Sequence, residues 1–405
     1  MRILISTLWL SFVLNSFAID WPQWRGPNRD GINPEKNLLD VWPAEGPKLA
    51  WKAEGVGAGY SSIATAGGVV YTLGDLGDAC FLIALDTTGK HLWKARLGDA
   101  GGHRGYPGPR STPTVSGGKV YALGQHADLV CFDIKTKKEV WRVNLQRDFG
   151  GKMMSGWRWS ESPLVDGDKV IITPGGKDGA MVALNKDNGT VVWRCEDFKD
   201  SAGYSSVIVR KIGNVSQYLQ LTGKSVAGIN AANGKLLWQA ARAGRTAVVS
   251  TPIYHDGTMF VTSSYGVGCN GFTVSHADGS FMAKQIYANK SLSNHHGGVI
   301  RVGDYVYGSS GNTIACLNLK TGAEKWREKS AGKGAIIVVG DKIILRSERG
   351  PVSMAKLSPE KYEEISRFNQ PDRTRRRAWS HPVVSNGILY LKDQDTLFAY
   401  DLKGN

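Results

Sequence analysis

From about residue 47 to its end, this chain is written in short runs of alternating apolar and polar residues. Clusters rich in Gly, Asn and Asp separate the runs. A period of two is the signature of half-buried β-strands, and the separating residues are those of tight turns. The stretch around Trp238 shows the grammar. Residues 204–210, 216–221, 225–230 and 235–240 read as four successive strands. Ala231-Ala232-Asn233-Gly234 is the turn before the last of them, with Gly234 where a positive φ is needed. Residues 298–302, 305–309, 314–318 and 324–327 parse in the same way. Four strands in this span make one antiparallel sheet.

The sheets repeat. An eleven-residue unit of the form small–x–Asp/Asn–x–x–Thr/Asn–Gly–x–x–x–Trp is clearest over 131–141, 183–193, 228–238 and 316–326. A copy one residue shorter spans 84–93, eroded copies start at Thr273 and Ala355, and one starting at Ala399 is cut short. The small positions recur at intervals of 39 to 52 residues, the period of blade-like repeats. Each residue type has a task. The small residue lets neighbouring sheets approach, and the Asp or Asn accepts hydrogen bonds from the turn backbone. Gly allows the left-handed step, and the Trp buries its ring against the next sheet.

The outer-strand positions are Trp51, Trp93, Trp141, Trp193, Trp238, Ala283, Trp326 and Ile365, eight in all. The last repeat has no outer strand of its own, while residues 47–52 form a spare one near the N-terminus. The pattern therefore predicts an all-β fold: an eight-bladed β-propeller of four-stranded antiparallel blades, closed by an N-terminal outer strand. The expected organisation is a signal peptide over 1–18, a lead-in over 19–46 and the propeller over 47–405.

These repeats resemble those of the pyrroloquinoline quinone (PQQ) family, whose tryptophan-docking motif has this form. The family includes quinoprotein alcohol dehydrogenases and the non-catalytic outer-membrane assembly lipoprotein BamB. The resemblance runs from Trp51 to Asn405, and Trp21-Pro22-Gln23-Trp24-Arg25-Gly26-Pro27 is similar to the family's lead-in. It implies the fold more strongly than the chemistry. Against the enzymes stand the absence of adjacent cysteines, of a Cys-x-x-Cys-His haem motif, and of a calcium-ligating Glu/Asn/Asp set that matches residue by residue. The blades are compact, with the longest insertion near 99–110. Against BamB stands the absence of a cysteine after the expected cleavage point.

Composition adds an address. Arg2, the apolar run 3–14 and Ser16-Phe17-Ala18 read as a signal peptide cleaved after Ala18, giving a periodic β-protein that is periplasmic or secreted. No later segment is long and apolar enough to span a bilayer as a helix, so no transmembrane anchor is expected. Cys80, Cys131, Cys195, Cys269 and Cys316 read as buried packing thiols, with a Cys80–Cys131 bridge the alternative. Net charge is +14, and Arg373, Arg375, Arg376 and Arg377 are its densest cluster. Outside the cytoplasm nucleic acid is excluded as a partner. An anionic small molecule, an envelope polymer or an envelope protein is expected, with the chain acting as a monomer.

A propeller gathers the loops leading into its innermost strands at one mouth of the central channel. The bulky or charged residues on those loops are Arg110, Trp159, Glu161, Tyr204, His295, His296, Lys333, Trp379 and His381. Aromatic faces and cations together suit a planar anionic ligand. PQQ with calcium is the cofactor the resemblance implies, and Glu161 or a histidine is then the candidate general base. A metal site built from His295, His296 and His381 is disfavoured, because adjacent strand residues point to opposite faces. The expected function is an exported ligand- or partner-binding module of the cell envelope without evident catalysis. The alternative is a PQQ-dependent quinoprotein dehydrogenase acting on alcohols or sugars.

Overall fold

The computed structural model describes residues 19–403. The expected signal peptide and its cleavage point lie outside the described residues. Eight antiparallel sheets follow one another along the chain, and the one α-helix among the described residues is the short Leu145–Phe149. The fold is an eight-bladed β-propeller. In the fourth blade the strands run Ile208–Ile212, Val215–Leu221, Ser225–Asn230 and Leu236–Ala241, innermost to outermost.

The eighth blade is made from both ends of the chain. Val383–Ser385, Ile388–Asp393 and Thr396–Asp401 supply three strands, and Lys48–Glu54 pairs antiparallel outside the last of them, with Trp51 opposite Ala399. The ring is closed by hydrogen bonds, which removes the open edge a linear array would leave.

Blade-to-blade docking gives the motif its reason. Asp86, Asp133, Asn185, Asn230 and Asn318 each accept backbone N–H groups of the turns they begin. The turns beginning at Asp86, Asn185, Asn230 and Asn318 then receive the ring of the preceding blade. A Cβ on Gly89 would lie 2.6 Å from Trp51, on Gly189 2.8 Å from Trp141, and on Gly234 2.4 Å from Trp193. All three glycines have positive φ. The motif glycine is thus demanded twice, by its own turn and by its neighbour's indole. Lys137, at the equivalent position of the second blade, takes φ 61 without being glycine.

Two outer-strand assignments need correction. In the fifth blade the docking residue is Tyr287 and not Ala283. Gly271 pairs with Tyr287, whose hydroxyl donates to Leu319 O at 2.7 Å and whose ring sits 2.5 Å from a Cβ on Gly322. The hairpin Gly268–Ala277/Ser280–Asn289 is longer than the others, so the docking position falls farther from its turn. In the seventh blade Met354 pairs with Ser366, and Ile365 is not the docking group. Trp42 of the lead-in fills the gap, donating its backbone N–H to Ser366 Oγ and packing edge-on to Phe368.

The lead-in threads the central channel and touches the innermost strands, or the residues leading into them, of all eight blades. Trp21 bridges to Thr65, Pro22 O accepts from Val115 N, and Arg29 donates to Ser162 O and Pro163 O. Asn28 O accepts from Arg210, and the Trp24 indole donates to Thr251. Arg25 donates to Val299 O, Ile32–Asn33 adds a parallel strand beside Val338 and Val339, and the Asn33 amide donates to Val384 O. All five cysteines are buried and free, so the Cys80–Cys131 bridge does not form. Burial pushes the thiols of Cys131 and Cys316 up to about 12, which makes them inert packing groups.

Candidate binding site at the axial mouth

At one end of the channel a cavity of about 250 Å³ opens above Trp24. Arg110, Tyr204, His295, His296, Lys333, Trp379 and His381 line it, as the sequence predicts. Trp159 and Glu161 do not. Arg158 takes φ 69, which breaks strand alternation, so Trp157 faces the mouth and Trp159 turns into the core beside Leu145 and Phe149. Glu161 lies between the third and fourth blades. Its carboxylate accepts from Thr173 N, Thr173 Oγ1, Gln220 Nε2 and Val207 N. Burial pushes its pKa up to about 7, against the pull of those donors and of Arg29. It is a buried acid held between blades and is not among the residues that line the mouth.

The sequence reading misses Trp24, Tyr60, Tyr106, Trp157, Tyr265, Glu348 and Arg377. Tyr265 and Glu348 stand on hairpin loops between second and third strands, which rise at the same end of a blade as the loops leading into first strands. That alternation was the available signal.

One wall is aromatic. The ring of Trp379 lies 4.8 Å from Tyr60 and 4.7 Å from Tyr106, and Tyr106 lies 5.7 Å from Trp157. The Arg110 guanidinium stands 5.3 Å over Tyr60 and is fixed by three carbonyls, Tyr106 O, Gly108 O and Trp157 O. The opposite wall is a charged cluster around Glu348. Its carboxylate accepts from His296 Nε2 at 3.1 Å and Trp379 Nε1 at 2.9 Å, with Lys333 Nζ and Arg377 Nη1 each at 3.3 Å. Burial alone would raise its pKa; these donors and cations outweigh it and hold the carboxyl at about 2. Burial, with help from His296 and Lys333, pushes His295 down to about 3, so its ring is neutral. Its Nδ1 takes a proton bond from Lys333 at 3.2 Å, which leaves Nε2–H to donate to Tyr265 Oη at 2.8 Å.

His295 and His296 sit in a loop and not a strand, so the expected opposition of their side chains does not hold: the rings are 5.0 Å apart. Together with Glu348 they place three potential ligand atoms within 4.8 Å of one another. His381 is not part of that group, since its Nε2 donates to His296 O. Lys333 already lies beside His295 and Glu348, where a metal would need its room. Calcium fits still less well, because it takes 6–8 oxygen ligands and the single carboxylate of this mouth is held by four donors. The cations Arg110, Lys333 and Arg377 outnumber that carboxylate, so the mouth suits a planar or aromatic-stacking anion. Glu348 and both ring nitrogens of His295 are engaged by neighbours, whereas the buried His296 Nδ1 has no hydrogen-bond partner.

The family model described as outer membrane protein assembly factor BamB matches residues 81–328. The chain belongs to that family. It is 23% identical over 274 residues to outer membrane protein assembly factor BamB of Shewanella oneidensis, covering 62% of this chain and 64% of that one. The corresponding protein of Xanthomonas campestris is 32% identical over 105 residues, 26% of this chain and 25% of its own. The chain thus spans less than two thirds of the length of these relatives. A quinoprotein ethanol dehydrogenase of Pseudomonas aeruginosa is 30% identical over 29% of this chain and 19% of its own. Among solved structures, BamB of Moraxella catarrhalis superposes with a TM-score of 0.58 at 17% identity, over 82% of this chain and 94% of that one. Quinohemoprotein alcohol dehydrogenase of Comamonas testosteroni superposes with 0.67 at 13% identity, over 96% and 81%. These superpositions speak to the fold alone. Among the described residues no helix is long and apolar enough to cross a membrane.

Proposed function

We propose that this protein is an exported, periplasmic or secreted module of the cell envelope that binds an anionic ligand at its axial mouth and performs no catalysis of its own. The ligand is a small molecule or the acidic side chains of an envelope partner, which would align the chain with its relatives named for outer membrane protein assembly. One observation carries the reading: Arg110, Lys333 and Arg377 face a cavity walled by Tyr60, Tyr106 and Trp379, and the one carboxylate there is already paired. A cation over an aromatic face gains when an anion enters and the site is desolvated.

The alternative is a PQQ-dependent dehydrogenase. The aromatic wall and the cations suit that tricarboxylate; the oxygen donors do not suit its calcium. Calorimetry on the mature protein separates the readings, using a uronate, an acidic peptide, and PQQ with and without calcium, followed by dye-linked oxidation over alcohols and sugars. Anion binding that falls at least about tenfold in Arg110→Ala and Lys333→Ala, without turnover, is the expected result. Turnover with PQQ and calcium would establish the alternative. Binding indifferent to both substitutions would remove the mouth as the site.

A further inference from the structure

Beneath the lead-in, on the far side of Trp24 from the mouth, lies a second chamber of about 70 Å³. It is lined by Arg25, Arg29, Arg210 and Arg301, with Thr251 and Tyr254 from the fifth blade. Arg210 and Arg301 stand partway along the innermost strands Ile208–Ile212 and Val299–Val302, which carries them down the channel. Both are half-buried, so the chamber communicates with solvent there.

Four guanidiniums share this space with one carboxylate, Asp30. Their hydrogen bonds go to neutral oxygens, nearly all carbonyls of the backbone: Arg25 to Asp30 O and Val299 O, Arg29 to Ser162 O, Pro163 O and Gln23 Oε1, Arg210 to Val209 O and Asn28 O, and Arg301 to Gly303 O. None of the four forms an ion pair among the described residues. Arg25 Nε and Nη1 and Arg29 Nε, on fully buried side chains, have no hydrogen-bond partner at all. Burial depresses the pKa of Arg25 to about 10 and of Arg29 to about 9, and Arg210 adds to the depression at Arg29. Asp30 and Glu161 act on Arg25, Arg29 and Arg210 only from beyond ion-pair distance, and buried charges so weakly countered are costly unless something supplies a closer counter-charge.

We propose that this chamber is a binding site for a small oxyanion of the phosphate or sulfate class, free or as the headgroup of an anionic lipid. Its volume takes several water molecules or one such ion. A tetrahedral oxyanion presents several acceptors at once, the arrangement that forked guanidinium donors match. The site is separate from the mouth and does not depend on what the mouth binds.

The test uses mature protein in chloride buffer at constant ionic strength, titrated with inorganic phosphate and with sulfate by calorimetry and thermal melting. Binding with a rise in Tm is expected. Arg210→Gln and Arg301→Gln should each weaken it at least about tenfold; Arg301→Gln, which loses only a bond to Gly303 O, should also leave Tm without oxyanion unchanged or raised, because like charges have been thinned. A merely structural arginine would instead lower that Tm. Co-sedimentation with phosphatidylglycerol vesicles, but not phosphatidylcholine vesicles, that free phosphate competes away would name the lipid source; no vesicle binding would name the free ion. No binding at millimolar phosphate and sulfate, or binding that both variants retain, would overturn the proposal.

Discussion

The ring of Trp24 rests on that of His381 with 4.4 Å between centroids, while its indole N–H donates to Thr251 Oγ1 at 3.0 Å. One side chain from the lead-in thereby joins the fifth and eighth blades across the channel and forms the floor of the mouth. His381 is neutral, pushed down to about 3 by burial and the charge of Arg25, so the contact is between two uncharged rings.

Trp24→Ala therefore removes both a joint and a floor. The expected loss of unfolding free energy is about 2–4 kcal/mol, somewhat below that of a fully buried Trp. Urea unfolding measures it. The same variant should weaken mouth ligands, and stability preserved within 0.5 kcal/mol, roughly the range of an inert surface change, would contradict the bridging role.

The pairing of motif glycine with the preceding blade's indole makes a comparison possible. Gly234→Ala puts a Cβ 2.4 Å from Trp193 at φ +74, whereas Gly117→Ala, at φ +56, meets nothing within 4 Å. Both carry a left-handed penalty of about 1–2 kcal/mol. Gly234→Ala should cost a further 1–3 kcal/mol or so for overpacking. Equal melting temperatures for the two variants would show that the docked ring yields freely.

Glu161 predicts a pH dependence. Its folded pKa of about 7 lies above the ordinary 4.5, so the folded protein keeps a proton that the unfolded chain loses first. Stability from this group is full below pH 4.5, falls as pH rises toward about 7, and is level above. The total is on the order of 3 kcal/mol. Glu161→Gln should flatten this slope in unfolding curves from pH 4.5 to 8. A slope that persists would assign it to another group.

Lys392 predicts a second slope, of opposite sign. It is fully buried and donates to Gly57 O and Gln394 O, yet burial pushes its pKa down to about 7 from 10.5. Above pH 7 the folded state sheds a proton that the unfolded chain holds up to 10.5, so this group makes stability rise with pH across that window. Lys392→Met should abolish the rise while leaving two carbonyls without donors. Calorimetric Tm between pH 7 and 10 checks it.

The blades were legible because each carries its own turn chemistry: an Asp or Asn at the bend, a glycine, and a ring at fixed spacing. The fifth and seventh docking positions were not. In one the hairpin is lengthened, which moves Tyr287 away from the expected offset. In the other Trp42, remote in sequence, does the packing. At the mouth, residues on loops leading into first strands could be read from order alone. Trp159 was misplaced because the backbone turn at Arg158 is invisible in a pattern of polar and apolar letters. The acid at Glu161 looked chemical because sequence shows charge but not enclosure. Glu348 and Tyr265 lay on the other set of loops. The arginine cluster turned partly inward: Arg377 reaches Glu348, while Arg376 donates to Gly105 O.

The closure by residues 48–54 sets the order in which this molecule is able to assemble. Ile19 N–H donates to Asn386, 367 positions away, and Gly57 N–H to Asp395, 338 away. A chain delivered through a narrow passage N-terminus first must hold its opening residues in waiting until nearly everything else has arrived. Early blades have neighbours to pack on at once, but the circle completes last and at the cost of the longest loop closure. Anything that grips residues 19–54 during delivery would keep the molecule an open arc, and letting go would be the act that completes it.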